Sequence, residues 1–181
     1  MHRVLAAALL ASALTVPAFA AVEISEVLAN NPGLVSFGGT ATDLIELHNR
    51  GTQAADLSDM SLSDDPARPR QFVFPKGAIL PAGGYLTVFA DKNAAPAGFH
   101  LGSGLDADGD GVFLYASSLQ NNVLVDSVRF GPQLPGWSIG RRPDGTWTLC
   151  RPTFGAANQP TPLGDTDLAG RAATASRSMS P

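Results

Sequence analysis

The chain almost lacks cysteine. Cys150 is the only one among 181 residues, and a single thiol cannot form an internal disulfide, so stability must come from packing, with or without a metal. Cys150 closes the alternating run TWTLC, which predicts a small buried side chain rather than a reactive thiol. The sequence also has no G-x-S-x-G nucleophile motif and no His or Cys pair at zinc-ligand spacing.

Long apolar runs are missing beyond the first twenty residues. His2 and Arg3 precede an apolar stretch over 4–16, Pro17 interrupts it, and Ala18-Phe19-Ala20 supplies an A-x-A cleavage signal. This pattern predicts a secretory signal peptide over 1–20 and an exported protein, periplasmic or extracellular, with an uncut membrane anchor as the alternative. No later segment approaches the ~20 apolar residues of a membrane span.

Positive charge is scarce. The formal net charge is −4, and it becomes one unit more negative when the leader that carries Arg3 is removed. Non-specific binding of nucleic acid or anionic lipid depends on basic surfaces, so the composition does not favour either partner.

Glycine and proline, by contrast, are abundant at 19 and 14 residues, and they separate short runs of alternating polarity. In one run, Ile45 and Leu47 share one face while Glu46 and His48 share the other. This organisation predicts an all-β sandwich or barrel with a disordered tail over 159–181, which is poor in large apolar residues. The candidate strands are 22–29, 44–49, 55–62, 71–74, 85–90, 112–116, 123–130, 137–141 and 146–150.

The stretch LDADGDGVFLYA resembles the first half of a calcium loop. Asp106, Asp108 and Asp110 alternate before a glycine, and the carbonyl of Val112 falls at the seventh position, a pattern that can wrap oxygen atoms around Ca²⁺. Ser117 stands where an EF-hand needs a bidentate glutamate. Two interpretations remain: a looser structural calcium site, or a solvated hairpin tip shaped by Asp and Gly.

A second acidic set consists of Glu26, Asp43 and Glu46. Glu26 and Glu46 lie within predicted strands, so pairing of those strands would place two carboxylates side by side, as in a general acid–base pair or a metal site. The simpler interpretation is that these carboxylates accept hydrogen bonds from loop amides or meet an arginine such as Arg50. His48 and His100 have no neighbouring ligand residues and are expected at surfaces or edges.

Arginines accompany both tryptophans near the C-terminal end of the predicted sandwich. Trp137 and Trp147 are interleaved with them, and an Arg-plus-aromatic surface can hold an acidic protein, a glycan or nucleic acid. Alternatively, one tryptophan fills the core and the arginines protect hairpin edges. The candidate ligand-contact residues are Arg129, Arg141, Arg142 and Arg151.

Seven motifs in order resemble the bacterial lamin tail domain over 22–158: EISEVLANN, DLIELHNRG, DLSDMSLSDD, FVFPKGAILPAGGYLTVFAD, VDSVRFGPQ, WSIGRRPDGTW and PTFGAANQ. The resemblance implies an immunoglobulin-like antiparallel β-sandwich over 21–158 and a non-catalytic module of the kind found beside secreted hydrolases or nucleases. It implies no catalytic residue and no required cofactor.

Together these observations predict an exported, non-catalytic binding or adhesion module that acts through loops and sheet edges. Its partner would be a protein, a glycan or a surface polymer, with calcium as a possible structural ion. The alternatives are a metal-dependent secreted hydrolase or nuclease, or an accessory of one, and a DNA-binding module.

Overall fold

A computed structural model describes residues 21–93 and 95–160 and the backbone of 174–176, and almost all regular structure in it is β-strand. A 3-10 helix, Ser118–Gln120, lies before the tenth strand. Within the described ranges, no helix is long and apolar enough to cross a membrane. The strands are β1 Val22–Leu28, β2 Asp43–Asn49, β3 Ala55–Asp56, β4 Ser61–Ser63, β5 Phe72–Val73, β6 Ile79–Leu80, β7 Tyr85–Ala90, β8 Phe99–His100, β9 Asp110–Tyr115, β10 Leu124–Phe130, β11 Ser138–Arg141, β12 Trp147–Arg151, β13 Gln159–Pro160 and β14 Thr174–Ser176.

The strands form two main sheets. The larger has seven strands in the order β13-β12-β11-β1-β2-β7-β8, and the smaller has five in the order β14-β10-β9-β4-β5. β3 and β6 form a separate two-stranded pair. Neighbours pair antiparallel except β7 and β8, which are parallel. The all-β sandwich predicted from the alternating runs is confirmed.

The main hydrophobic core contains the inward residues of both sheets. Ile45, Leu47 and Val88 come from the seven-stranded sheet, and Leu114 and Val128 come from the five-stranded sheet, and all five are fully buried. The predicted alternation of β2 is confirmed in this respect, since Ile45 and Leu47 belong to that core whereas Glu46 and His48 do not. Burial of these aliphatic side chains is the main source of stability in a chain without disulfides.

The outer face of the seven-stranded sheet is also largely buried. Every residue of β1 is buried, including Glu23 and Glu26. Leu28, Leu44 and Phe89 form a second, smaller apolar cluster, against which Val35, Phe37 and Phe154 pack. Loops near residues 35–40 and 152–158 therefore cover one half of the outer face, and polar side chains occupy the other half.

A β-bulge in β1 determines which side chains reach this outer face. Ile24 pairs with Leu47 and Glu26 pairs with Glu46, so Ser25 is the extra residue between them. One inserted residue shifts the side-chain alternation of the strand. Glu26 and Glu46 consequently lie opposite each other on the outer face, while Ile24 and Val27 both remain in the core.

The prediction of one strand over 55–62 is wrong. β3 and β4 are separated by a turn in which Met60 N–H donates to the carbonyl of Leu57 at 2.9 Å and Asp59 adopts a left-handed φ of 65°. Leu57 and Met60 are both buried, so a turn with two buried ends resembles a continuous strand in sequence. β6 and β8 were not predicted because each is only two residues long.

The predicted signal peptide over 1–20 lies outside the described residues. Of the predicted disordered tail, Gln159–Pro160 pairs with β12 and the backbone of Thr174–Ser176 pairs with β10. Both strands lie at sheet edges. For the other residues of 159–181, which the structure does not describe, disorder stays a prediction.

Candidate functional site

Glu26 and Glu46 form a buried carboxylate pair on the outer face of the seven-stranded sheet. Each side chain has an exposed fraction of 0%. Ser138 Oγ donates to Glu26 Oε1 at 2.5 Å, and Ser25 Oγ donates to Glu46 Oε1 at 2.6 Å. A serine hydroxyl therefore donates to the Oε1 atom of each glutamate.

The loop over 152–158 satisfies the remaining oxygens. Thr153 donates to Glu26 through its backbone N–H, at 3.0 Å to Oε1, and through its hydroxyl, at 3.1 Å to Oε2. Gly155 N–H donates to Glu46 Oε2 at 2.5 Å. Asn158 Nδ2 donates to the carbonyls of Ser25 and Arg141 at 2.7 and 3.0 Å. The two glutamates therefore anchor a loop, as the simpler interpretation of this acidic set predicted.

Burial dominates the electrostatics of this pair. Removal from water raises the pKa of Glu46 to about 7, the negative charge of Glu26 adds to that rise, and the bonds from Ser25 and Gly155 oppose it. Burial likewise raises the pKa of Glu26, against the bonds from Ser138 and Thr153. Two carboxylates this close cannot both ionise without mutual repulsion.

Asp43, the third member of the acidic set, serves a different loop. Its Oδ1 accepts the backbone N–H of Asn31 and its Oδ2 accepts that of Leu105, both at 3.2 Å. Asp43 thus ties the start of β2 to two loops, and these two hydrogen bonds do not involve the Glu26–Glu46 pair.

A cleft of about 150 Å³ opens beside the buried pair. Its lining includes Glu23, His48 and Tyr85, which form a row across three neighbouring strands because Glu23 pairs with His48 and His48 pairs with Tyr85. The rings of His48 and Tyr85 stack with centroids 4.3 Å apart and planes 7° apart. Burial, and then the charge of Arg50, lowers the pKa of His48, which favours the neutral imidazole.

Three arginines surround the acidic end of this row. Arg50 Nη1 and Arg141 Nε lie 3.6 and 3.9 Å from Glu23 Oε2, and Arg142 also lines the cleft. Arg50 Nη2 donates to the carbonyl of Pro143 at 3.1 Å, which ties the end of β2 to the β11–β12 turn. The cleft therefore holds three guanidinium groups and one carboxylate.

Arg141 is the buried member of this group. It donates to Asp126 Oδ2 at 2.6 Å and to the carbonyl of Ile24 at 3.0 Å, and its guanidinium lies 4.9 Å from the ring centroid of Trp147. Its side chain is only 2% exposed. Arg141 therefore joins the two sheets, and Arg50, whose side chain is 40% exposed, carries accessible charge.

Ser25, His48 and Glu23 all line the cleft, and these are residue types of a hydrolytic triad. Ser25 Oγ, however, donates to Glu46, and His48 Nδ1 lies 3.8 Å from Glu23 Oε1, beyond hydrogen-bond distance. An activated serine needs a hydrogen bond to its base. The cleft therefore offers charged and hydrogen-bonding side chains, and its serine hydroxyl donates to the buried Glu46.

The aspartate loop is closed by its own backbone. Asp106 Oδ1 accepts the N–H of Asp108 at 2.9 Å, and Asp110 accepts those of Asp106 and Gly111 at 3.0 and 2.8 Å. Burial is the main cause that raises the pKa of Asp110. Val112 is buried in the core. Among the described residues, no group of three or more His, Cys, Asp or Glu side chains is arranged to hold a metal ion, so calcium binding at this loop stays a prediction.

The predicted arginine cluster is divided by the fold. Arg141 and Arg142 line the cleft. Arg129 lies on β10 of the other sheet, 4.8 Å above the Phe113 ring, and the guanidinium of Arg151 lies 5.7 Å from the ring centroid of Trp137. Ligand contact by these four residues stays a prediction, and Arg141 and Arg142 are the two that line this cleft.

Two single residues behave as the sequence indicated. Cys150 is buried with an exposed fraction of 0%, as the alternating run predicted. His100 lies on edge strand β8, where its Nδ1 is 2.6 Å from Asp91 Oδ1 and its Nε2 is 2.9 Å from the carbonyl of Pro96.

The sequence offered no signal for Glu23, His48 and Tyr85 as a set. They are distant along the chain, and only the strand register brings them together. The sequence indicates Arg50 as a partner for the buried glutamates, whereas in the structure Arg50 lies 3.6 Å from Glu23. In the sequence, the polar residues that alternate with Ile24 and Leu47 are the sign that the outer face of this sheet carries functional side chains.

Two largely antiparallel sheets packed face to face over an aliphatic core define an immunoglobulin-like β-sandwich. The chain belongs to the lamin tail domain family, whose sequence model matches residues 15–132. Domains of this family are generally non-catalytic interaction modules. No curated protein and no solved structure matches the chain. The matched residues include β1, β2 and β7. The strands β11 and β12 follow them, as does the covering loop, which is the loop over 152–158 that donates to the buried glutamates.

Proposed function

We propose that the protein is an exported, non-catalytic binding module that recognises a protein, a glycan or a surface polymer in the periplasm or outside the cell. The leader-like sequence over 1–20 supports export. Family membership supports a non-catalytic role. The polar cleft, which is lined by side chains from β1, β2 and β7 and from the β11–β12 turn, supports binding.

The observation that carries this proposal is the direction of the Ser25 hydroxyl. It donates to Glu46 at 2.6 Å, and Glu46 is itself held by the covering loop through Gly155. The serine hydroxyl of the cleft is therefore held in place by the buried pair. A lining that holds its polar group in this way suits recognition by hydrogen bonds and charge.

Metal-dependent hydrolysis is the alternative from another class. It would be supported by a convergent set of acidic or histidine ligands, and the parts of the chain that the structure describes contain no such set. DNA binding would be supported by a contiguous basic surface, but Arg129 and the cleft arginines lie on different sheets. Neither alternative has a specific observation in its favour.

The proposal is tested by incubating the purified protein with acidic and neutral polysaccharides, peptides and duplex DNA. Binding is measured by calorimetry, and each ligand is then analysed for cleavage by mass spectrometry. We expect one ligand class to bind and to be recovered intact. The Ser25→Ala variant, which removes the cleft hydroxyl, should leave the ligand equally intact.

Two results would contradict the proposal. Cleavage of a ligand by the wild type but not by Ser25→Ala would identify an enzyme. Binding confined to DNA, with a steep loss of affinity as salt increases, would indicate a nucleic-acid module.

A further inference from the structure

We propose that His100 is a pH-sensitive latch, which holds the chain segment over 95–98 against the Phe89 ring while the imidazole is protonated and releases that segment as pH rises. The latch lies at the β8 edge of the larger sheet, and none of its residues lines the cleft. It is therefore independent of the binding function proposed above.

Both ring nitrogens of His100 face oxygen acceptors. Nδ1 lies 2.6 Å from Asp91 Oδ1, and Nε2 lies 2.9 Å from the carbonyl oxygen of Pro96. A neutral imidazole has one N–H donor and one bare nitrogen, whereas the imidazolium has two donors. Because a carboxylate and a carbonyl can only accept, both contacts are hydrogen bonds when the ring is protonated and only one of them is when it is neutral.

The surroundings of the ring favour the protonated form. Burial alone would lower the pKa of His100, but the bonds to Asp91 and to the Pro96 carbonyl, together with the charge of Asp91, raise it above its usual value. Burial alone would likewise raise the pKa of Asp91, but the bond from His100 and those from Asn93 hold it below its usual value. An ionised carboxylate therefore faces the imidazolium, and the Phe89 ring stacks against it with centroids 5.0 Å apart.

The segment that this bond attaches packs closely on Phe89. A Cβ atom at Gly98 would lie 2.8 Å from Phe89 Cε2, and one at Gly38 would contact both Phe89 Cζ, at 3.1 Å, and Pro96 Cγ, at 3.3 Å. Phe89 is only 4% exposed and belongs to the smaller apolar cluster on the outer face of the sheet. The bond from His100 to the Pro96 carbonyl thus helps to keep an aromatic side chain of that cluster covered.

The direction of the pH dependence follows from the raised pKa of His100. Below that pKa the ring donates to both acceptors, and the segment is held. As pH rises through it, the remaining N–H stays with the charged Asp91, so Nε2 becomes an acceptor that faces another acceptor, the Pro96 oxygen. The segment is therefore held at acidic pH and released at alkaline pH.

The test is an NMR titration of the full-length protein between pH 5 and 9. His48, whose pKa burial lowers, is an internal reference. We expect His100 to titrate above 6.5 and His48 below it, with a proton on both His100 ring nitrogens in the acid form. Nuclear Overhauser contacts between the Phe89 ring and Gly98 should be strong at pH 5 and lost with the same midpoint as the His100 titration. Contacts between Ile45 and Val88, which pair across β2 and β7, should not change.

Three variants sharpen the test. Asp91→Asn keeps an oxygen acceptor but removes the charge, so it should move the His100 titration and the loss of the Phe89–Gly98 contacts to lower pH together. His100→Gln has no titrating ring and should make these contacts independent of pH. His48→Gln, the matched control in the cleft, should leave their midpoint unchanged.

Results on the wild type alone can overturn the inference. A His100 ring that is already neutral below pH 6.5 would show that it does not donate to both acceptors. Phe89–Gly98 contacts that persist unchanged through the His100 titration would show that the ring does not hold the segment. Among the variants, an equal shift of the midpoint by His48→Gln would show that the pH dependence belongs to the whole domain.

Discussion

Glu46 makes the stability of the sandwich depend on pH in an unusual direction. Burial raises the pKa of this carboxyl from 4.5 to about 7. Between these two values the folded protein keeps a proton that the unfolded chain releases, so the free energy of unfolding falls as pH rises. The stabilisation is complete below pH 4.5 and is lost as pH rises through about 7.

The size of the effect follows from the two pKa values. A shift from 4.5 to about 7 at about 1.4 kcal/mol per pH unit gives roughly 3 kcal/mol between acidic and mildly alkaline pH. For a domain of this size, about 3 kcal/mol changes Tm by roughly 6–12 °C. His48, whose pKa burial lowers, works in the opposite direction near its own pKa. His100, whose pKa the carboxylate of Asp91 and the Pro96 carbonyl raise against burial, works in the same direction as Glu46.

The Glu46→Gln variant isolates this contribution. A glutamine can accept the Gly155 N–H and donate to Ser25 Oγ, so both bonds survive without a titrating group. Both histidines are present in the two proteins and cancel in the difference. Urea unfolding at pH 5, 6, 7 and 8, followed by tryptophan fluorescence, should show the variant gaining stability over the wild type by roughly 3 kcal/mol as pH rises. A difference that stays constant with pH would refute the reasoning.

Three further predictions concern other parts of the sandwich. Asp126→Ala leaves the buried guanidinium of Arg141 without its 2.6 Å partner and should lower the free energy of unfolding by about 3–5 kcal/mol in urea; a loss under about 1 kcal/mol would contradict the role given to this pair. Cys150, whose pKa burial raises to about 12, should react with a thiol reagent at pH 8 only as fast as the protein unfolds, and rapid labelling of native protein would show an open site. The carboxylates of Asp106 and Asp110 accept backbone amides, so millimolar Ca²⁺ should not change Tm measurably, and a rise specific to calcium that Asp108→Ala abolishes would instead establish the calcium site that the sequence allows.

The sandwich could be predicted because its strands follow local rules. Ile45 and Leu47 alternate with Glu46 and His48, and such alternation is set by the two-residue repeat of a strand. The pattern fails where the chain turns with its apolar residues still buried, as between Leu57 and Met60. It also fails for β6 and β8, which are too short to show a repeat.

The row of Glu23, His48 and Tyr85 in the cleft could not be predicted because it depends on strand register. The bulge at Ser25 decides that Glu26 faces Glu46, and no composition rule locates a bulge of this kind. The simpler interpretation of the acidic set succeeded because buried carboxylates need hydrogen-bond donors, which loops supply. The four arginines do not form one surface, because Arg129 lies on a strand of the smaller sheet and Arg141 and Arg151 lie on strands of the larger one, and their contact with a ligand stays a prediction.

The central position of β1 has a consequence for the order of folding. This first strand pairs with β2 on one side and with β11, over a hundred residues later, on the other, and its glutamates are completed by the loop that follows β12. Contacts between distant parts of a chain make folding slow, because the intervening segment must be ordered before they form. The middle of the larger sheet therefore stays unfinished until the end of the domain is available, and a fragment that stops at residue 132 would lack both the neighbouring strand and the cover for its buried carboxylates.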